Sequence, residues 1–229
     1  MGCCGTTQKE DERSPLVRDL NEEANAVQRA ASLGLRHRER PSVPRPKAQA
    51  PTLDVSLVGG GRWRLASQHP EAFTMLVFYR GDHCPVCRGY LRQLDRMLEE
   101  FTRAGVSVVA VSGDTDERAR HSVGEWGLEH LPVGYGQSVE SMRDWGLFVS
   151  QGIKEGEPEF FGEPGVFLIR PDNTVYAVIL NSMPFARPHF DEVLKAVQWV
   201  NESQYPARGE ACLYSEDDAS NAPRENEHA

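Results

Sequence analysis

Cysteine is scarce in this chain of 229 residues, which holds only Cys3, Cys4, Cys84, Cys87 and Cys212. Five thiols so unevenly spread exclude a disulfide-stapled secreted framework. Long hydrophobic runs are missing as well. Nothing approaches the roughly 18 consecutive apolar residues of a spanning helix, and the N-terminus lacks the apolar stretch of a secretory signal. A cytoplasmic location is the resulting expectation. The chain also lacks a basic excess, with 25 Lys and Arg against 34 Asp and Glu and a net charge of −9. Attraction to nucleic acid or to anionic membranes is therefore not expected. What remains is ordinary: 39% hydrophobic and 26% charged residues, the proportions of a folded globular protein.

The two ends differ in composition from the middle. Residues 1–50 carry 9 basic and 7 acidic side chains, and residues 201–229 carry 2 basic and 7 acidic. From Ser14 and Pro15, a suitable N-cap and first helical position, apolar residues recur at Leu16, Leu20, Ala24, Val27 and Ala31. Those spacings of four and three predict an amphipathic helix over 14–40, preceded by a flexible segment 1–13. Pro41, Pro44, Pro46 and Pro51 then favour extended chain, and 41–51 reads as a linker. After Tyr205 and Pro206 little can be buried, so 208–229 reads as an acidic disordered tail.

The domain between, 52–207, alternates strand-like and helical patterns. Leu53 to Val58 and Arg62 to Leu65 flank three glycines as a hairpin. Phe73 to Tyr79 is a continuous apolar run, the mark of a strand covered on both faces. A helix carrying Leu91, Leu94, Met97, Leu98 and Phe101 follows, stopped at Gly105 before the strand Val106 to Val111. Two further helices, from Asp114 or Thr115 and from Ser138, each end in Trp-Gly-Leu. Gly127 and Gly146 fit the left-handed position that closes such helices. Nothing else recurs at that spacing, so this is capping chemistry and not a repeat. Val166 to Ile169 and Val175 to Leu180 form a second hairpin, and a last helix buries Phe190, Val193, Leu194, Val197 and Val200. This order predicts an α/β protein with a central mixed sheet flanked by helices, in three layers.

The chemistry-bearing segment is Gly81-Asp82-His83-Cys84-Pro85-Val86-Cys87. A C-x-x-C between a buried strand and a helix gains free backbone N–H groups and the positive end of the helix dipole. Both stabilise a thiolate and lower its pKa. One turn of helix lets the two sulfurs form an exchangeable disulfide. Arg80 and Arg88 add positive charge nearby. Two plainer readings compete. Half a zinc site would need two further ligands, and no second C-x-x-C or H-x-x-x-H exists. Two buried structural cysteines would sit oddly around a proline at a strand-to-helix turn. His83 reads as a surface residue or a proton-transfer aid.

Three segments together carry a family resemblance: Phe78 to Arg88, Val109 to Asp114 and Pro164 to Ile169. With Tyr205-Pro206-Ala207-Arg208, the match spans about 52–207. It resembles the peroxiredoxin-like branch of the alkyl hydroperoxide reductase and thiol-specific antioxidant (AhpC/TSA) family. The resemblance implies a thioredoxin-like fold and a thiol-dependent oxidoreductase that reduces peroxides or exchanges protein disulfides. It implies no metal or flavin, and a thioredoxin or glutathione system as reductant. The chain departs from the peroxidase pattern P-x-x-x-T-x-x-C. Aligned from Phe78 and Tyr79, Arg80 takes the proline position, Cys84 the threonine position and Cys87 that of the peroxidatic cysteine. Pro164 takes the place of the distant arginine, either as a cis-proline packed beside the C-x-x-C or as a simple trans turn residue.

Two assignments of the sulfurs follow. In disulfide exchange Cys84 attacks and Cys87 resolves. In the peroxidase register Cys87 becomes the sulfenic acid and Cys84 condenses with it. Arg80 would stabilise the thiolate in either. Cys212 would be idle, or a distal resolving thiol if the tail folds back. At the other end Met1-Gly2-Cys3-Cys4-Gly5-Thr6 fits the myristoylation pattern at Gly2, with Cys3 and Cys4 available for palmitoylation. Acylation there would anchor the protein to the cytoplasmic face of a membrane; without it these are ordinary exposed thiols. Anchoring would allow a reading from another class, a tethered thioredoxin-fold adaptor without peroxidase activity. The intact C-x-x-C argues against it.

Overall fold

The protein is described here as a computed structural model covering residues 43–211. The predicted helix over 14–40, Gly2, Cys3, Cys4 and Cys212 all lie outside the described residues. A hairpin opens the fold, β1 (Asp54–Leu57) and β2 (Arg62–Arg64), followed by a 3-10 turn at Leu65–Ser67. Then come β3 (Phe73–Phe78), α1 (Pro85–Arg103), β4 (Val106–Val111), α2 (Asp116–Trp126), β5 (Val133–Tyr135) and α3 (Val139–Asp144). The chain finishes with β6 (Val149–Gln151), β7 (Phe160–Gly162), β8 (Gly165–Ile169), β9 (Val175–Leu180) and α4 (Phe190–Ser203).

Seven strands form one mixed sheet in the order β2-β1-β5-β4-β3-β8-β9, with β3, β4 and β5 parallel and the rest antiparallel. Strand β3 lies between β4 and β8, which places the unbroken apolar run inside the sheet as expected. Its side chains alternate between the faces. Phe73, Met75, Val77 and Tyr79 join the core built with α1, α2 and α4, where Leu91, Leu94, Phe101, Trp126, Phe190 and Val197 are buried. Leu76 and Phe78 join the opposite core, with Met142 and Trp145 at α3. A residue run with no polar face is what a strand covered on both sides requires.

Both Trp-Gly-Leu endings close as predicted. Gly127 and Gly146 take φ of 62° and 68°, and the N–H groups of Leu128 and Leu147 reach back to the carbonyls of Val123 and Met142. Three strands escaped the sequence. In β5, Gly134 is forced by crowding, because a Cβ there would meet Val55 at 2.7 Å. Strands β6 and β7 pair only with each other and are three residues long, too short to display a period.

The proline-rich stretch is extended, as its composition requires, but it is not a free linker. Lys47 and Ala50 donate backbone hydrogen bonds to Val175 and Asn173, and Val175 donates back to Ala48. Trp145 Nε1 donates to the Thr52 carbonyl, and Lys47 pairs with Glu210. Prolines lack N–H donors, yet the residues between them supply enough to pair with the chain leading into β9. Residues 43–51 are thus tied to β9 and are not a free linker, while 208–211 are exposed and joined to that stretch through the Lys47–Glu210 pair.

Candidate active site

The C-x-x-C sits where β3 gives way to α1, on a loop fixed from beneath. Asp114, only 2% exposed, accepts the Asp82 backbone N–H at 2.8 Å, the Ser112 hydroxyl at 3.3 Å and Arg118 Nε at 3.0 Å. Gly81 lies directly against that carboxylate with φ of 125°, a conformation and a closeness that only glycine tolerates. The Asp82 side chain in turn receives the Ser122 hydroxyl and pairs with His121 Nδ1 at 3.0 Å. Strand β4 and helix α2 therefore position the loop that carries the cysteines.

Cys84 is the N-cap of α1 and Pro85 its first residue. The Cys87 N–H donates to Cys84 Sγ at 3.3 Å. Both cysteines are free thiols and buried. Their environments drive their ionisation apart. The Cys87 thiol donating to Cys84, the Cys87 N–H, and more distantly Arg187 and Arg80 outweigh burial and pull the Cys84 pKa down to about 6. Burial, reinforced by its role as donor to Cys84, pushes the Cys87 thiol well up. The pair is one thiolate and one thiol at neutral pH.

The cation at the sulfurs is Arg187, which sequence reasoning missed. Its Nη2 lies 3.2 Å from Cys87 Sγ and 4.0 Å from Cys84 Sγ. Two contacts hold it: Nε donates to the Pro184 carbonyl at 2.8 Å and the guanidinium lies 4.9 Å over the Tyr90 ring, which is itself fixed by its hydroxyl donating to the Pro188 carbonyl. Asn181 Nδ2 fastens the same loop by donating to the Phe185 and Ala186 carbonyls. The residue is boxed in sequence as Pro184-Phe185-Ala186-Arg187-Pro188, a rigid setting that was the one available signal.

Arg80, expected to tune the thiolate directly, is committed elsewhere. Its guanidinium lies 4.5 Å from the Phe161 ring centre, Nη2 is 3.6 Å from Glu157 and Nε is 3.5 Å from Glu163. Neither sulfur is among its hydrogen-bond partners, so its effect on Cys84 is long-range only. His83 is not a surface residue. Its ring packs tilted against Phe161, centroids 4.6 Å apart, both ring nitrogens are buried without a hydrogen-bond partner among the described residues, and burial lowers its pKa. The peptide bond before Pro164 is trans, like every described peptide bond, and the Pro164 carbonyl accepts the Asn181 N–H as the chain passes from β7 into β8. Among the described residues no three His, Cys, Asp or Glu side chains are grouped to hold a metal ion.

The family model described as AhpC/TSA family matches residues 46–178, more than half of the chain. The chain belongs to the AhpC/TSA family. A curated relative, the alkyl hydroperoxide reductase C of Amphibacillus xylanus, is 27% identical over 146 residues, 61% of this chain and 71% of the relative. Among solved structures, peroxidoxin BcpB from Mycobacterium tuberculosis superposes with a TM-score of 0.57 at 18% identity, covering 69% of this chain and 98% of that one. A peroxiredoxin-like protein from Aquifex aeolicus gives 0.58 at 17% identity, covering 70% and 90%. These structures share the fold, a central mixed sheet flanked by helices. Family membership makes the chain a thiol-dependent oxidoreductase, the class expected from its sequence.

Proposed function

We propose that the chain is a dithiol oxidoreductase in which Cys84 attacks and Cys87 resolves. The observation that carries this reading is the polarised pair: Cys84 at the helix N-terminus, held as thiolate by hydrogen bonds from Cys87, with Arg187 alongside both sulfurs. With a disulfide R–S–S–R′ the Cys84 thiolate forms Cys84–S–S–R and expels R′–S⁻, which takes up a proton. Cys87 then gives up its proton, attacks Cys84 Sγ and expels R–S⁻. Two electrons leave the dithiol, and the intramolecular disulfide remains. A thioredoxin-type dithiol, the reductant that family membership implies in general terms, returns them.

One observation favours a second reading, the reduction of hydroperoxides that the curated relative's name describes. Arg187 is nearer to Cys87 than to Cys84, and Cys87 occupies the peroxidatic position of the family pattern. There the Cys87 thiolate would take the distal oxygen, releasing an alcohol or water. Cys84 would condense with the sulfenic acid to form the disulfide and release water. Mapping the first sulfur to react decides between the two. The fully reduced protein is mixed with hydrogen peroxide and, separately, with a disulfide, under conditions that trap the first adduct. Adduct on Cys84, and a mixed disulfide that accumulates in Cys87→Ser, is the expected result. Adduct beginning at Cys87, with peroxide consumed far faster than by a free thiol, would replace it with the second reading. Full turnover in both Cys84→Ser and Cys87→Ser would end the dithiol assignment altogether.

A further inference from the structure

The exposed side of α1 bears charges that the dithiol chemistry does not use. Arg88, Arg92 and Arg96 are all exposed and stand at i, i+4 and i+8. Helical geometry puts them within an arc of about 80° and along about 12 Å, starting one residue beyond Cys87. Among the described residues none of the three forms an ion pair, whereas Arg62, Arg64, Arg80, Arg103, Arg118 and Arg120 all do. Like charges at i and i+4 work against a helix. The stripe thus carries a small local cost to the helix, in a chain whose net charge is −9.

Its surroundings suit contact with another surface. Arg92 and Arg96 line a cleft of about 680 Å³ together with His130, Glu99 and Glu129. Asp95, which also lines that cleft, accepts the backbone N–H groups of His130 and Leu131 at 2.9 and 2.7 Å. Among the described residues it forms no ion pair with Arg92 or Arg96, and Glu99 pairs with Arg103. At the other end of the stripe Val86, between the two cysteines, is exposed.

We propose that the protein that exchanges disulfides with Cys84 docks through an acidic surface laid along Arg88, Arg92 and Arg96. The inference rests on the reading of Cys84 as the attacking sulfur. Arginine presents a planar fork that pairs with carboxylates two bonds at a time. A folded acidic partner meets the stripe within a Debye length, about 8 Å at physiological ionic strength, where local charge outweighs the rest of the molecule. An extended polyanion such as nucleic acid or an anionic bilayer would also meet the net negative charge of the whole chain, which opposes it.

The test uses the full-length reduced protein and three synthetic peptide disulfides that differ only in the residues flanking the cysteine: glutamates, lysines or serines. Each second-order rate is measured by release of the leaving thiol. The acidic probe should react at least about tenfold faster than the basic one at low salt, a preference that about 0.5 M salt abolishes. The triple variant Arg88→Gln, Arg92→Gln, Arg96→Gln should lose the preference and keep the wild-type rate on the serine probe. Equal rates on acidic and basic probes would overturn the proposal, as would a preference that survives in the triple variant, which would then belong to Arg187. A serine probe that fails to react while hydrogen peroxide still oxidises the protein would overturn disulfide exchange itself.

Discussion

Arg187 Nη2 lies 3.2 Å from Cys87 Sγ and 4.0 Å from Cys84 Sγ, so one guanidinium serves both sulfurs from 100 residues further along the chain. A cation so placed favours the thiolate form of the pair. Replacing it by glutamine keeps much of the side-chain volume and removes the charge. Arg187→Gln should raise the Cys84 pKa from about 6 by roughly one pH unit. Ultraviolet titration of the thiolate checks this directly. Arg187→Lys should recover part of the effect, since it restores the charge without the planar guanidinium that holds Nη2 beside both sulfurs. An unchanged titration in Arg187→Gln would leave the hydrogen bonds from Cys87 to lower the Cys84 pKa without help from Arg187.

The depressed Cys84 pKa also fixes how stability depends on pH. In the folded chain Cys84 titrates at about 6, while an unfolded cysteine titrates near 8.5, as a rough reference value. Between those values the unfolded chain binds a proton that the folded one does not. Stability of the reduced protein should therefore rise with pH across that window, by at most about 1.4 kcal/mol per pH unit. The contribution is complete above the unfolded value and is lost as pH falls through the folded one. Cys87 works in the opposite sense, because burial keeps it a thiol. Its opposing effect begins only above about pH 8.5, where the unfolded cysteine ionises and the buried one does not. Urea unfolding under reducing conditions should show the rise in the wild type and not in Cys84→Ser. Equal slopes in the two proteins would count against a thiolate at Cys84.

Much of this architecture was legible because the relevant signals are local. The apolar run Phe73 to Phe78, the Ser138 and Thr115 caps, the two Trp-Gly-Leu endings and the Cys84-Pro85 helix start each follow from neighbours in sequence. What stayed hidden depends on long-range contact. Arg187 reaches the sulfurs only after β8, β9 and the loop beyond them have folded back, and no spacing rule links it to Cys84. Arg80 misled for the converse reason. Its closeness in sequence suggested the sulfurs, but Glu157 and Glu163, contributed by the β6–β7 region, claim its charge. The pairing of residues 43–51 with Val175 and Asn173 is likewise a tertiary event that composition alone reads as a linker.

Arg80 should consequently matter more for stability than for the thiolate. It is largely buried between two carboxylates, Glu163 being 3% exposed, and removing the cation would leave that carboxylate short of a counter-ion. Arg80→Gln should lower the unfolding free energy by about 2 kcal/mol, since the separations of 3.5 and 3.6 Å are loose for charged hydrogen bonds. The thiolate titration should move less than it does in Arg187→Gln. Denaturant unfolding and ultraviolet titration of the two variants side by side give both readings. A larger titration shift in Arg80→Gln than in Arg187→Gln would reverse the roles given to the two arginines.

The contact between Gly81 and Asp114 makes the sharpest structural prediction. A methyl group on Gly81 would stand 2.6 Å from Asp114 Oδ1, and the backbone there has φ of 125°. The carboxylate cannot swing away freely, because the Asp82 N–H, the Ser112 hydroxyl and Arg118 all hold it. Gly81→Ala should therefore cost about 2–4 kcal/mol, from strain and overpacking together. Asp114→Ala is destabilising for a different reason, since it strips partners from buried groups. The two should not add. Once the carboxylate is gone the new methyl has room, so the double variant should fall short of the summed losses by about 1 kcal/mol or more, leaving only the backbone strain of Gly81→Ala. A double-mutant cycle by urea unfolding measures that difference. Strict additivity would mean that the φ angle alone, and not the approach of Asp114, dictates glycine at the turn that delivers Cys84.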